Sequence, residues 1–213
     1  MAHERNRDPR KGKPKPGDDP REGVVGLRII GGKHRGRTLD YSGDPRTRPM
    51  KDRVRESLFN LLGTRCAGKF AIDLFAGTGA LGLEAISRGA IGGTLLERHY
   101  PTCKLIEQNV RQLELTEVAH VSFGDAFIWA RKPQAPPSAA WVVFCSPPYD
   151  FYVSRREDMV KMLTGLFTAA PEGSVLVVES DERFDFSDLP EPDYWNIRDY
   201  PPARVGLLDK LPP

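Results

Sequence analysis

The chain has 213 residues, 39% of them hydrophobic and 28% charged, which suits one α/β domain with a real core and a small appendage. No apolar run approaches the roughly 18 residues of a membrane helix, and the polar, basic N-terminal stretch lacks an apolar h-region, so no secretory signal is expected. Cys66, Cys103 and Cys145 are far apart and lack C-x-x-C spacing. They are expected to be reduced thiols of a cytoplasmic protein, without a metal site. The net charge of +2 conceals an asymmetry: residues 1–55 hold 16 Lys/Arg against 8 Asp/Glu, and residues 56–213 hold 15 against 21. A basic N-terminal part on a mildly acidic body is the expected footprint of a polyanion-binding arm.

Residues 1–23 are expected to form a disordered basic tail, rich in Pro, Gly and charge and without an apolar face. Residues 24–51 follow as a hairpin and basic loop. Val24–Ile30 reads as a strand, Gly31-Gly32 as a turn and Lys33–Leu39 as the returning strand. The loop carries Asp44-Pro45 and Arg48-Pro49. A helix is predicted over 52–62, with Val54, Leu58, Leu61 and Leu62 on one apolar face and Gly63 as its stop. Arg53 and Arg55 near its start oppose the helix dipole, which suggests an anionic partner nearby.

From residue 69 strands and helices alternate. Strands are predicted at Phe70–Phe75, Gly92–Leu96, His120–Phe123, Trp141–Cys145 and Ser174–Glu179, with two more near 194–199 and 203–209. Helices are predicted over Ala80–Arg88, Pro101–Leu113, 126–131 and 154–168. This alternation implies an α/β doubly wound, mostly parallel sheet with helices on both faces.

Asp73-Leu74-Phe75-Ala76-Gly77-Thr78-Gly79-Ala80-Leu81-Gly82 joins the first strand to a helix and matches G-x-G-x-x-G, with Glu97 20 residues after Gly77. Taken alone, this is also the nicotinamide-dinucleotide fingerprint. An acidic Asp73 at the strand end suits an ammonium-bearing ligand better than a pyrophosphate, which favours S-adenosylmethionine. The other strand ends agree. Glu97 is placed to accept ribose hydroxyls. Gly124-Asp125-Ala126 follows the third strand, where Asp125 is suited to an adenine amino group or to capping the next helix.

The fourth strand stops at Ser146-Pro147-Pro148-Tyr149. Two prolines force a rigid turn. The Ser146 side chain and the Pro147 carbonyl can accept hydrogen bonds from an exocyclic amino group while Tyr149 stacks on the base carrying it. Such a base must first be extruded from its surroundings.

These segments together resemble the bacterial small-subunit ribosomal RNA guanine-N2-methyltransferase family. The resemblance rests on Arg28-Ile29-Ile30-Gly31-Gly32, Gly36-Arg37, Arg48-Pro49, Asp52-Arg53-Val54-Arg55-Glu56-Ser57-Leu58-Phe59-Asn60, Asp73–Gly82, Leu83-Glu84-Ala85 and Pro147-Pro148-Tyr149. It implies a Rossmann-like, seven-stranded S-adenosylmethionine-dependent methyltransferase domain over 52–213, preceded by a small N-terminal β-hairpin. Its cofactor residues would be Asp73, Phe75, Ala76, Gly77, Thr78, Gly79, Gly82, Glu97, Asp125 and Ala126. Its catalytic residues would be Ser146, Pro147, Pro148 and Tyr149. Ser146 departs from the family, which usually has Asp or Asn there, and Ser-Pro-Pro-Tyr is more familiar from cytosine-N4 DNA methyltransferases. The implied partner is ribosomal RNA in an assembling small subunit, bound by a monomer through Arg28, Lys33, Arg35, Arg37, Arg46, Arg48, Lys51, Arg53 and Arg55, although Arg48 or Arg53 could instead pair internally with a carboxylate such as Glu56. The rival readings are a DNA amino-methyltransferase, a catalytically weak RNA-binding or assembly factor, and a nicotinamide oxidoreductase.

Overall fold

The structure, a computed structural model, describes residues 26–43, 49–136 and 138–212. The tail, together with Arg46 and Arg48, lies outside the described residues. Seven strands form one sheet: β1 (Phe70–Asp73), β2 (Gly92–Glu97), β3 (Ala119–Phe123), β4 (Trp141–Cys145), β5 (Val175–Ser180), β6 (Asn196–Tyr200) and β7 (Ala203–Asp209). Their order is β3-β2-β1-β4-β5-β7-β6. The first five strands run parallel, and β7 is antiparallel to both β5 and β6. This is the Rossmann-like α/β architecture expected of the alternation.

The parallel strands are short and apolar because helices cover both faces. α1 (Asp52–Leu62), α2 (Ala80–Ser87) and α3 (Tyr100–Gln112) pack Leu58, Phe59, Leu83 and Ile106 against Ala71, Val142, Phe144 and Val177. On the other face α4 (Ala126–Trp129), α5 (Phe151–Ser154) and α6 (Arg156–Ala169) pack Phe127, Tyr152, Met159 and Leu163 against Ile72, Val143, Cys145 and Leu176. Successive residues of β4 therefore serve different cores, as the two-residue period of a strand requires. All three cysteines are buried and unpaired. Burial pushes the Cys66 and Cys103 thiols up to about 11 and the Cys145 thiol up to about 12.

Three local expectations are refined. Of the expected face of α1, Leu58 and Leu62 are buried and Val54 and Leu61 are half-buried against the same core, while Arg55 and Phe59 join the buried side. The predicted helix 154–168 is α6, and the short α5 before it, set apart by Arg155 at φ −134° and ψ 32°, was not anticipated. The N-terminal hairpin reduces to one antiparallel bridge, Arg28 with Thr38. It is flanked by bonds from Ile29 N to the Arg37 carbonyl and from Leu39 N to the Leu27 carbonyl.

The hairpin is cut short because helix α2 takes its backbone donors. Ile30 N and Gly31 N each donate to the Glu84 carboxylate at 2.7 Å. Lys33 N donates to the Ser87 carbonyl at 2.8 Å and His34 N to Ser87 Oγ at 2.9 Å. Gly32 adopts φ +76°, and a Cβ there would lie 1.9 Å from the Ser87 carbonyl oxygen. Only glycine permits that approach.

Candidate active site

The chain runs outward from β1 to β3 and then returns to β4 on the other side of β1. The β1/β4 boundary is thus the switch point, where open α/β sheets form a crevice at the carboxyl ends of their strands. Asp73 ends β1 at this boundary, in register with Phe144 of β4. It is 1% exposed. Its Oδ2 accepts from Gly82 N at 3.0 Å, while its Oδ1 is buried without a hydrogen-bond partner. Burial, reinforced by the nearby Glu97, pushes the Asp73 carboxyl up to about 7 against the backbone N–H groups of Gly82 and, more weakly, Phe75.

The loop after Asp73 folds tightly, with Gly79 N donating to the Ala76 carbonyl at 2.6 Å. Gly79 sits at φ +78°, and a Cβ there would come within 2.9 Å of Ile106 Cγ2. Ala76 and Thr78 are buried, and Phe75 and Gly77 are half-buried. Glu97 closes the loop from β2: its Oε2 accepts from Gly77 N at 3.0 Å and its Oε1 from His99 N at 2.7 Å. At the end of β3, Asp125 Oδ1 caps α4, accepting from Phe127 N at 2.8 Å and Ile128 N at 3.2 Å; Ala126 behind it is buried. Gly124 N donates to the Glu97 carbonyl at 3.0 Å, which ties these two strand ends together. The predicted cofactor residues therefore converge on one crevice. A buried carboxylate oxygen without a donor, beside a glycine turn and two further carboxylates, fits a ligand that brings its own N–H and hydroxyl donors. S-adenosylmethionine has both.

On the β4 side, Ser146 and Tyr149 are half-buried, Pro147 is buried and Pro148 is exposed. The Pro147 carbonyl accepts no hydrogen bond among the described residues, whereas the Pro148 carbonyl accepts from Phe151 N at 2.9 Å. The side chains converge on Glu179 of β5. Ser146 Oγ donates to Glu179 Oε2, Tyr149 OH donates to Oε1 at 2.7 Å, and Tyr152 OH donates to the Glu179 carbonyl at 2.9 Å. Sequence reasoning missed Glu179, although an apolar run ending in an acid marks β1 and β2 as well.

An aromatic rim was also missed. Phe75 meets Phe127 and Phe151 edge-on at 6.0 and 6.1 Å between ring centroids. The Arg155 guanidinium lies 3.7 Å from the Phe127 ring centre and that of Arg98 lies 5.5 Å from the Phe151 ring centre. These cations stack on ring faces beside the glycine loop. Among the described residues no cluster of His, Cys, Asp and Glu is suited to a metal, and no helix is long and apolar enough to cross a membrane.

The basic residues do not form one surface. Arg28, Lys33, Arg35, Arg37, Lys51 and Arg53 are exposed, but Arg55 is fully buried and is corrected to a core residue. It donates to the Arg28 carbonyl at 2.6 Å and to Asp52 Oδ1 at 3.0 Å, so it anchors the N-terminal segment. Lys33 and its neighbours are pinned at the end of α2, which lies at the amino edge of the sheet. Arg37 likewise donates to the Gln112 carbonyl at the end of α3. The length of α2, about 12 Å, separates them from the crevice. α1 ends at the same amino edge, where Arg65 pairs with Asp209 at 3.1 Å. Halfway along α1, Phe59 touches Phe144 near the end of β4, so Lys51 and Arg53 at its start lie on the crevice side.

Residues 27–199 match the family described as Conserved hypothetical protein 95. The chain is 40% identical over 164 residues to ribosomal RNA small subunit methyltransferase D of Escherichia coli (strain K12), covering 77% of this chain and 79% of that one. It is 33% identical over 168 residues to YlbH of Bacillus subtilis (strain 168), covering 78% and 86%. Among solved structures, yhhF of Escherichia coli superposes with a TM-score of 0.72 at 29% identity, covering 87% of this chain and 98% of that one.

Proposed function

Because the chain belongs to the family of ribosomal RNA small subunit methyltransferase D, we propose that it methylates the exocyclic N2 amino group of a guanine in small-subunit ribosomal RNA. The cofactor is S-adenosylmethionine, and the substrate RNA is presented within an assembling small subunit to a monomeric enzyme. One observation carries this reading. The Ser146–Tyr149 corner and the unsatisfied carboxylate oxygen of Asp73 end two adjacent strands, so an amino-group acceptor stands beside the cofactor crevice.

S-adenosylmethionine supplies a methyl group on a positively charged sulfur, which is already a strong electrophile. The chain's own task is therefore mostly binding and alignment. Asp73 would pair with an ammonium group, Glu97 would accept the ribose hydroxyls, and Asp125 would accept an adenine amino group on the edge not used for capping. The Gly77–Gly79 turn leaves room for close approach of the ligand to the backbone. The guanine N2 lone pair is delocalised into the ring, so it is a weak nucleophile. Accepting its N–H bonds at Ser146 Oγ and the Pro147 carbonyl raises electron density on nitrogen. Tyr149 offers a ring face on which the extruded base stacks.

The test is transfer of label from methyl-labelled S-adenosylmethionine, with immature small-subunit particles, naked ribosomal RNA and DNA as separate acceptors. Labelled RNA that digests to N2-methylguanosine is the expected result. Label confined to DNA would overturn the reading, and cofactor binding without labelling of any acceptor would point to an assembly factor.

A further inference from the structure

Glu179 lies at the carboxyl end of β5, 7% exposed, and no sequence motif marks it. It binds both polar side chains of the catalytic corner, through separate carboxylate oxygens. The third tie, from Tyr152 OH to its backbone carbonyl, fixes the strand end that carries it. A serine hydroxyl is ambiguous, since it can donate one hydrogen bond and accept others. Once its single proton is committed to Glu179 Oε2, Ser146 Oγ faces the crevice with lone pairs alone. Its polarity there becomes that of an aspartate or asparagine oxygen.

We propose that Glu179 is the positioning residue of this site: it holds Ser146 as an obligate acceptor for the target amino group and receives that group's surplus proton. The proposal rests on the methyltransfer reading above. Once the amino nitrogen has gained its methyl group it carries one proton too many. That N–H bond breaks as a new Oγ–H bond forms, while the original Ser146 Oγ–H bond breaks and Glu179 Oε2–H forms. Serine ends unchanged, the methylamino group ends neutral, and Glu179 carries the proton until it passes to water. The acceptor oxygen of the Asp or Asn that the family resemblance expects at position 146 is thus reproduced by Ser146 and a carboxylate from the neighbouring strand.

The experiment compares Glu179→Gln, Ser146→Ala, Ser146→Asp and the double variant Ser146→Asp/Glu179→Gln in the full chain. A glutamine amide donates to Ser146 Oγ and frees the serine proton to face the crevice, so kcat should fall about 100-fold. KM for RNA, the calorimetric affinity for S-adenosylhomocysteine and Tm should stay near wild type. Ser146→Ala should cause a comparable fall. Ser146→Asp alone places two carboxylates together and should also impair turnover. Combined with Glu179→Gln it should restore at least about 10-fold of the lost kcat, because the amide then donates to the new carboxylate.

A kcat for Glu179→Gln within about 3-fold of wild type would overturn the proposal. So would a loss that follows Tm and is not rescued by Ser146→Asp, since that is the signature of a structural role. A wild-type protein that labels no RNA would sink the methyltransfer reading and this proposal together, an outcome visible before any variant is made.

Discussion

Asp73 shows how one side chain can oppose folding and serve a ligand. Its carboxyl titrates near 3.8 when unfolded and is pushed up to about 7 by burial in the folded chain. Between those values the folded state keeps a proton that the unfolded state has lost, so stability falls as pH rises through this window. The full penalty, about 4 kcal/mol, is present above pH 7 and absent below pH 4. Asp73→Asn keeps an acceptor for Gly82 N and removes the charge. It should raise stability in urea unfolding at pH 8 and leave it unchanged near pH 3.5. The same variant should lose at least about 10-fold in S-adenosylmethionine affinity, through loss of a charge-assisted partner. Binding to wild type near pH 6 should release protons, detectable as a buffer-dependent calorimetric enthalpy, because an ammonium partner favours the ionised carboxylate. Asp73 and Asp125 were legible because each stands where a strand meets a glycine-containing turn, and Glu97 because it ends a strand 20 residues after Gly77. Glu179 has an apolar approach but no such turn after it, so its role emerged only from the side chains that reach it.

At the scale of elements, the join between the N-terminal segment and α2 decides what the sequence can and cannot reveal. Glu84 is fully buried on α2 and accepts from Ile30 N, Gly31 N and Arg88 Nε, each at 2.7 Å. Glu84→Ala strands a partly buried guanidinium and two backbone donors, so unfolding should cost about 3–5 kcal/mol less in urea. Gly32→Ala should cost about 2–3 kcal/mol in the same assay, through its positive φ and its clash with Ser87. The central strands β4 and β5 were readable because continuous apolar runs of four to five residues carry their own signal, and the others because short apolar stretches alternate with helices. The hairpin was misread because its donors bond to a helix more than 50 residues away. On α1 the apolar face was legible but the burial of Arg55 was not, because a fully buried arginine breaks the rule that charge marks the wet face. Its guanidinium is held by Asp52 and the Arg28 carbonyl, partners that helical periodicity does not encode.

At the scale of the molecule, the exposed candidate RNA-binding cations among the described residues include a pair at the crevice side, Lys51 and Arg53, and a group at the opposite edge of the sheet, Lys33, Arg35 and Arg37. An RNA touching both must run along the α1–α2 side of the protein. Lys51→Glu/Arg53→Glu should therefore lower kcat/KM for RNA more than Lys33→Glu/Arg35→Glu. Both pairs should flatten the salt dependence of binding, by about 0.7–0.9 in log–log slope for each phosphate that is no longer neutralised. Equal effects on kcat/KM would contradict the separation of the two groups. The three buried thiols bring a different kind of consequence. Cys103 sits beside Glu97, donating to its carbonyl at 3.2 Å, and Cys145 immediately precedes Ser146. Protonated and enclosed, Cys103 on α3 and Cys145 at the end of β4 react with a disulfide reagent only when the structure around each opens. Their separate modification rates form an intrinsic clock for the breathing of the two halves of the crevice, read without adding a label.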